Sequence, residues 1–497
     1  MHGPLRSVAL CGAFALALSG CTLGVNPFTA DELANIAAKA SAVQAVDQEP
    51  ISGPITLYEA MARALKYNVD HRVEMMNAAL GRRNVAVARA DLLPDLVAKS
   101  GYFDRNNSPA SFAFAFPSGA RSGTASTSQD PGSIASDLTF SWHVLDFGLS
   151  YVRAQQSADK ALIAEERKRR VVNRIVADVR TAYWRAVSAE RLLAGFDRLK
   201  GRVEKALANT RRLYKARATS PVAALTYERE LVQIKARILQ LQRELKTARL
   251  QLASLMNVKP GTTYTLAIPP RRLTDLSIKV TRDELFDLAL TRRPELREIG
   301  YQERINTKEK RVAILELLPS ITGYAGLSSD TNDLLVNPNW VSYGARVGWN
   351  VMRLFKYPAR RRSVEAKAEL LDAQAKATAM AIMLQVEVAR TRYRFHRRQA
   401  ATAAEFNGVQ KKLLRQIEAQ ARGGAASEQT LVREKMNALV AEAQYDIAYA
   451  ELQNAFAGLF ASVGEAPYDH TITTDMSVKE LGDVLRDTWR ERGDSHG

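Results

Sequence analysis

Cysteine is nearly absent from this sequence of 497 residues, which contains only Cys11 and Cys21. Two cysteines exclude the disulfide framework on which small secreted domains depend. Long hydrophobic runs are missing too, because no stretch beyond the N-terminus has the eighteen or so apolar residues that a membrane-spanning helix needs. A chain of this kind can cross a membrane only with β-strands.

Glycine and proline are also scarce, with 27 and 17 residues, which indicates few and long secondary-structure elements. The formal net charge is +17. A basic surface is compatible with nucleic acid, anionic lipid or acidic solutes, and charge alone does not choose among them.

Motifs for catalysis or metal binding are missing as well. The six histidines show no pair at metal-ligand spacing, and the chain has no Gly-rich phosphate loop, no GxSxG and no HExxH. We therefore predict a protein that is not an enzyme and has no cofactor or metal.

The N-terminus resembles a bacterial lipoprotein signal. An apolar run from Val8 to Leu18 is too short to span a bilayer permanently, and it leads into the lipobox-like sequence LSGC at 18–21. We predict a signal peptide over 1–20 and lipidation of Cys21. An ordinary signal peptide with a chance cysteine is the alternative. Thr22, where an aspartate would favour retention at the inner membrane, favours the outer membrane.

The chain is internally duplicated. ITLYEAMARALKYNVDHRVEMM (55–76) aligns with VTRDELFDLALTRRPELREIGY (280–301), and the same offset of 225 residues places Pro94 over Pro319, each in the sequence LLP. In each half a capping-box threonine begins a helix that is predicted to run to this proline, which is the helix-to-strand junction.

Beyond each proline, the sequence predicts a β-hairpin and then a long helical hairpin. Apolar residues alternate with polar ones before Trp142 and Trp349, which we predict to be membrane-interface anchors. A water-soluble sheet would alternate in the same way. The predicted segments are 21–54 (N-terminal extended segment), 55–257 (first repeat, hairpin about 95–147), 258–280 (linker), 281–463 (second repeat, hairpin about 320–352) and 464–497 (polar tail).

The helices that follow the hairpins are unusually long. No proline occurs between Ser150 and Arg217 or between Ala359 and Arg422, and both runs end at turn residues. A second helix follows each turn, and its apolar residues recur at spacings of three and four residues, as in coiled coils. The two turns contain Thr219, Ser220, Pro221, Gly423 and Gly424.

Over residues 55–463 this order of elements resembles the TolC family of outer membrane efflux proteins. The resemblance rests on ITLYEAMARAL, both LLP junctions, the strand ends WHVLDFG and WNVMRLF, and VRTAY and ARTRY in the long helices. It implies a mainly α fold: a coiled-coil helical barrel in the periplasm below a trimeric 12-stranded β-barrel, with four strands per subunit. It also implies a homotrimer in contact with outer membrane lipid. A periplasmic adaptor and an inner-membrane pump of RND, ABC or MFS type would dock at the helical tip.

Two groups of charged residues each have two possible interpretations. Familiar members have aspartates after the second tip turn, and this chain does not match them. Glu428 or Glu434 could substitute as gate residues, and Arg433 could pair with a neighbouring acid to hold the tip closed; solvated helix charges are the simpler interpretation. Arg360, Arg361 and Arg362 follow Pro358, where they would meet lipid phosphates or simply be solvated.

The predicted function is a passive outer membrane channel that carries solutes or secreted substrates in a tripartite efflux or type I secretion system. The alternative is a non-conducting, periplasm-spanning coiled-coil scaffold lipoprotein. Nucleic-acid binding is disfavoured because the chain has a signal peptide and no stacking platform.

Overall fold

A computed structural model describes residues 27–42, 48–218, 220–259, 262–271, 280–464 and 475–496. The predicted signal peptide and Cys21 lie outside these residues. Of the helices within them, none is long and apolar enough to cross a membrane. Residues up to Pro50 form a separate unit with one described helix, α1 (Ala30–Ala42), and the remaining chain forms the second unit.

The second unit contains two copies of the same element series. The first copy comprises α2 (Leu57–Tyr67), α3 (Val69–Ala90), β1 (Asp95–Asp104), β2 (Gly132–His143), α4 (Val144–Lys215) and α5 (Pro221–Leu255). The second comprises α6 (Arg282–Arg292), α7 (Pro294–Leu315), β3 (Ser320–Asp330), β4 (Asn339–Gly348), α8 (Met352–Arg422) and α9 (Glu428–Ser462), and α10 (Val478–His496) follows it.

Each half begins at the predicted threonine cap. The Thr56 hydroxyl accepts a hydrogen bond from Glu59 N at 3.2 Å. Thr281 forms the complete capping box with Glu284, whose carboxylate accepts from Thr281 N at 2.9 Å. These bonds satisfy amides that have no partner within the first helical turn.

The single helix predicted between each threonine and its LLP proline is wrong, since the structure has two helices there. In the first half Asn68 is extended, and its side chain accepts from the backbone amides of Asp70 and His71, so a new helix begins. In the second half Pro294 occupies the first turn of α7 and pushes Arg293 out of the helical region.

The four strands form one antiparallel sheet in the order β1-β2-β3-β4. Its register pairs Leu96 with Phe140, Phe140 with Ala325 and Ala325 with Tyr343. The predicted fold class, long helices with four strands in each chain, is confirmed. The strands end at His143 and Gly348, earlier than the hairpin bounds of about 147 and 352, because α4 and α8 begin almost at once.

The helical core is centred on α4. Tyr183 and Trp184 pack edge to face, and Trp184 packs in the same way on Tyr449 of α9. Further along α4, Phe196 is fully buried in a second cluster with Leu231 and Ile238 of α5. Both return helices thus pack against the same long helix.

The polar C-terminal tail contains a packed helix, which the sequence analysis missed. Val478, Leu481 and Leu485 of α10 are buried in the same cluster as Met61 of α2. α10 begins at Ser477, whose hydroxyl accepts from Glu480 N at 3.2 Å.

Candidate functional site

The sheet has one mainly apolar face and one mixed face that carries most of its charged residues. Residues paired across an antiparallel sheet point to the same side, so the register defines each face. One face carries Leu96, Leu138, Phe140, Leu327, Val341, Tyr343 and Val347, all at least 40% exposed. The other carries Lys99, Asp137, Thr139, Ser342 and Arg346 together with the exposed apolar residues Val97, Phe103 and Trp340. Exposed apolar surface of this extent is typical of a sheet that contacts lipid or another protein.

The two outer edges of this sheet are free. Among the described residues, β1 pairs only with β2 and β4 pairs only with β3. Each edge therefore presents a row of backbone N–H and C=O groups without a strand partner.

The LLP residues join helix to strand. Pro94 lies directly before β1, and Pro319 lies directly before β3. Trp349, one residue past β4, donates from Nε1 to Leu317 O at 3.0 Å, and Arg353 donates from Nη1 to Glu316 O at 3.1 Å. These two side chains satisfy carbonyls at the end of α7 and fix the strand end to the junction.

Trp142 and Trp349 both lie where a strand enters a long helix. Trp142 is the penultimate residue of β2, on the apolar face, and its side chain is about half exposed, as is that of Trp349. Their role as membrane-interface anchors stays a prediction.

The arginine cluster 360–362 lies inside a helix, and its contact with lipid stays a prediction. α8 begins at Met352 and contains Pro358, so the arginines lie in its third turn and not at a helix N-terminus. Arg360 pairs with Glu309 at 2.5 Å, and Arg361 pairs with Glu365 at 2.7 Å. Two of the three cations thus have carboxylate partners in the chain, which weakens the interpretation that they bind lipid phosphate.

The turns between the long helices lie close to their predicted positions. Ser220 and Pro221 begin α5, and Thr219 lies outside the described residues. Gly423 ends α8 with a φ of −84°, and Gly424 follows at +76°, a left-handed conformation that favours glycine. α9 then starts at Ser427, whose hydroxyl accepts from Thr430 N at 3.1 Å.

The charges predicted at the tip separate into two kinds. Glu434 is mostly buried and accepts from Gln410 Nε2 of α8 at 2.9 Å, and Arg433 lies 3.4 Å from it. Glu428 is exposed. Burial raises the pKa of Tyr227 on α5, and the negative charge of Glu428 raises it further, so Glu428 lies near the other half of the tip. Glu434 therefore connects α8 to α9, and Glu428 has the more open carboxylate.

A buried charge cluster was missed by the sequence analysis. Asp446 of α9 is 2% exposed and pairs with Arg191 of α4 and, at 2.6 Å, with Arg271 of the linker. Arg191 also donates to Pro269 O at 2.9 Å. The cluster fixes the middle of the linker to α4 of the first half and α9 of the second. Its only sequence signal is an acid within the apolar pattern of α9.

Metal binding has no support in the described part of the chain, where no group of three or more His, Cys, Asp or Glu side chains is arranged to hold an ion.

Comparison with known proteins gives a consistent result. Residues 62–258 match the family described as outer membrane efflux protein. Three solved structures are similar: the CmeC outer membrane channel of Campylobacter jejuni (13% identity, TM-score 0.65, 89% of this chain and 95% of that one), the MtrE outer membrane channel of Neisseria gonorrhoeae (17%, 0.63, 84% and 91%) and CusC (16%, 0.64, 84% and 96%). A search of curated proteins finds no match. At these identities the structural similarity establishes the fold.

Proposed function

We propose that this chain, of which residues 62–258 match the outer membrane efflux protein family, is a passive export channel of the outer membrane. The observation that carries the proposal is the amphipathic sheet with two free edges. Open edges are not tolerated in hydrocarbon, so four strands cross a membrane only when other copies complete a closed barrel. Three copies provide twelve strands, with the apolar face toward lipid.

The helices extend the channel into the periplasm. α4 has 72 residues and α8 has 71, which corresponds to about 105 Å each at roughly 1.5 Å per residue. Helices of this length, paired with α5 and α9, suit a duct that reaches toward the inner membrane. The tip at 214–222 and 420–429 is the proposed docking site for a periplasmic adaptor, and a pump of RND, ABC or MFS type would supply the energy. The cargo would be solutes or secreted substrates of that pump.

Lipid anchoring at Cys21 is part of the same proposal. It is supported by LSGC at 18–21 after an apolar run. We expect Cys21→Ala to abolish the incorporation of radiolabelled palmitate in cells, with Cys11→Ala as the matched control. Equal labelling of the Cys21→Ala protein would contradict the lipobox assignment.

Ion conductance is the direct test of the channel. Purified protein reconstituted in planar lipid bilayers should give discrete conductance steps. A scaffold lipoprotein, the alternative function, would give none. To separate a closed tip from a missing pore, the same recording is made with Gly423 and Gly424 replaced by longer Gly-Ser linkers, which would loosen the tip. Silence in both proteins would exclude the channel.

A further inference from the structure

A cavity of about 800 Å³ opens between α4, α8 and α9, below the α6–α7 junction. This volume lies within the range of small-molecule sites. Leu384, Val388 and Ala389 of α8 contribute apolar lining, and Arg174 of α4 contributes a cation. The cavity thus has both apolar and cationic lining.

A buried arginine adjoins this cavity. Arg180 is 4% exposed, stacks on the Trp489 ring at 4.3 Å, and has a buried Nε without a hydrogen bond. It lines a smaller space of about 20 Å³ that shares the residues Asn173, Ala177 and Ala461 with the large cavity. Burial lowers the pKa of Arg180 to about 10, and the charge that opposes this shift is only that of Tyr58.

An arginine in this position lacks a counter-charge. Among the described residues no carboxylate pairs with Arg180. An uncompensated buried charge costs several kcal/mol, so such groups are normally paired. The other buried charges of this chain follow that rule, since Asp446 and Asp159 are each paired with two cations.

Further polar groups of the cavity lack partners. Both side-chain polar atoms of Asn454 and the Oδ1 of Asn173 are buried without hydrogen bonds. Arg392 of α8 lines the cavity and has no ion pair with any described residue. The two acids of the lining already have cationic partners, because Glu295 pairs with Arg293, which also lines the cavity, at 2.9 Å and Glu451 pairs with Arg185 at 3.7 Å. Buried polar groups without partners in the protein are normally satisfied by a bound water, ion or ligand.

Comparison of the two repeats shows where the cavity differs from its counterpart. The offset of 225 aligns Asn68 with Arg293. Both side chains donate a hydrogen bond to the C-terminal end of a helix. Asn68 donates to Leu255 O of α5 at 3.2 Å, and Arg293 donates to Ser462 O of α9 at 3.3 Å. Asn68 also caps α3, whereas an arginine has no acceptor, and α7 has no side-chain cap. The uncapped N-terminus of α7 at the cavity adds positive potential.

We propose that this cavity binds an amphipathic organic anion, with its carboxylate or sulfonate group at Arg180 and its apolar body along Leu384 and Val388. The small space beside Arg180 holds about one water-sized group, which suits a single oxygen of the anionic head. The site does not depend on conduction, so its occupancy and the channel function can be tested separately.

The experiment uses the full-length protein in amphipol, with 4-bromobenzoate as probe and uncharged 4-bromobenzamide as its matched analogue. Equilibrium dialysis measures binding, and bromine quenching of Trp489 fluorescence reports the location. We expect saturable binding of about one benzoate per chain and binding of the benzamide weaker by about tenfold or more, because a buried hydrogen bond to a charged group is lost. Trp489→Phe should remove most of the quenching and retain the binding.

Arg180→Gln should weaken benzoate binding by about tenfold and leave benzamide binding unchanged. Arg198→Gln is the control, since this exposed arginine lies 18 residues further along α4, roughly 27 Å away. Equal affinity of the wild type for the two probes would overturn the proposal without any variant, as would unchanged benzoate binding in Arg180→Gln. A further outcome would be that the wild type does not bind benzoate and the double variant Glu465→Gln, Asp469→Asn does. This result would show that a carboxylate of the chain itself occupies the site, and it would also overturn the proposal.

Discussion

At the scale of single residues, His71 makes the stability of the helical region depend on pH. Its Nδ1 lies 2.6 Å from Leu65 O, across the break at Asn68. Burial lowers the pKa of His71, the Leu65 carbonyl opposes this shift, and the charge of Lys168 adds to the lowering. The folded protein thus favours the neutral ring, and this contribution to stability is present above the ordinary pKa of about 6.5. It is lost as the pH falls through the lowered pKa of the folded state.

We therefore expect acidification from about pH 7 to about pH 5 to lower the thermal unfolding midpoint more in the wild type than in His71→Gln. Gln can donate to the same carbonyl but does not titrate. Circular dichroism at 222 nm, recorded at several pH values in the same detergent, measures both proteins. Parallel pH dependences would show that His71 does not contribute.

Features of single residues could be predicted from the sequence only where the interacting residues are close together along the chain. The threonine caps at Thr56 and Thr281 were predictable because each is complete within four residues. Arg180 and Asp446 were not, because their burial depends on α9, α10 and the linker. Nothing in the local sequence distinguishes Arg180 from the exposed members of the 70 lysines and arginines.

At the scale of elements, the turn between α8 and α9 depends on one glycine. Gly424 has a φ of +76°, and a side chain there costs about 1 to 2 kcal/mol. Nothing lies within 4 Å of a Cβ at this position, so the cost is conformational. We expect Gly424→Ala to raise amide hydrogen exchange around the turn by about fivefold or more. Gly423→Ala is the matched control, because its φ of −84° suits alanine. Equal exchange in the two variants would refute the role of Gly424.

Secondary-structure elements with a clear sequence pattern could be predicted, and those that depend on tertiary packing could not. The alternation around Tyr343 identified a strand, and the proline-free runs 150–217 and 359–422 identified most of α4 and α8. The break at Asn68 was missed because Asn is compatible with a helix until its side chain bonds to the next turn. α10 was missed because its three buried residues, Val478, Leu481 and Leu485, are diluted by charged neighbours.

At the scale of the whole molecule, the proposed channel requires the sheet of one chain to be part of a larger one. β1 and β4 run antiparallel to each other, since two strands lie between them in an antiparallel sheet. The free edge of β4 can therefore pair with β1 of a second copy in the same pattern that joins the strands within the chain. Repetition of this contact closes a ring, and a closed ring leaves no edge exposed to lipid.

Disulfide trapping tests this closure and counts the copies. Three double variants combine Ala98→Cys on β1 with Val341→Cys, Tyr343→Cys or Ala345→Cys on β4. All of these positions are on the apolar face of the sheet. Facing cysteines crosslink when their Cα atoms are about 5.5 Å apart, so one of the three pairs should form between copies in membranes. Because each chain carries both cysteines, oxidation should give monomer, dimer and trimer bands and nothing larger. Ala98→Cys with Ser342→Cys, which faces the opposite side, is the control and should remain monomeric. A ladder that ends at the dimer, or extends beyond the trimer, would contradict a twelve-stranded barrel.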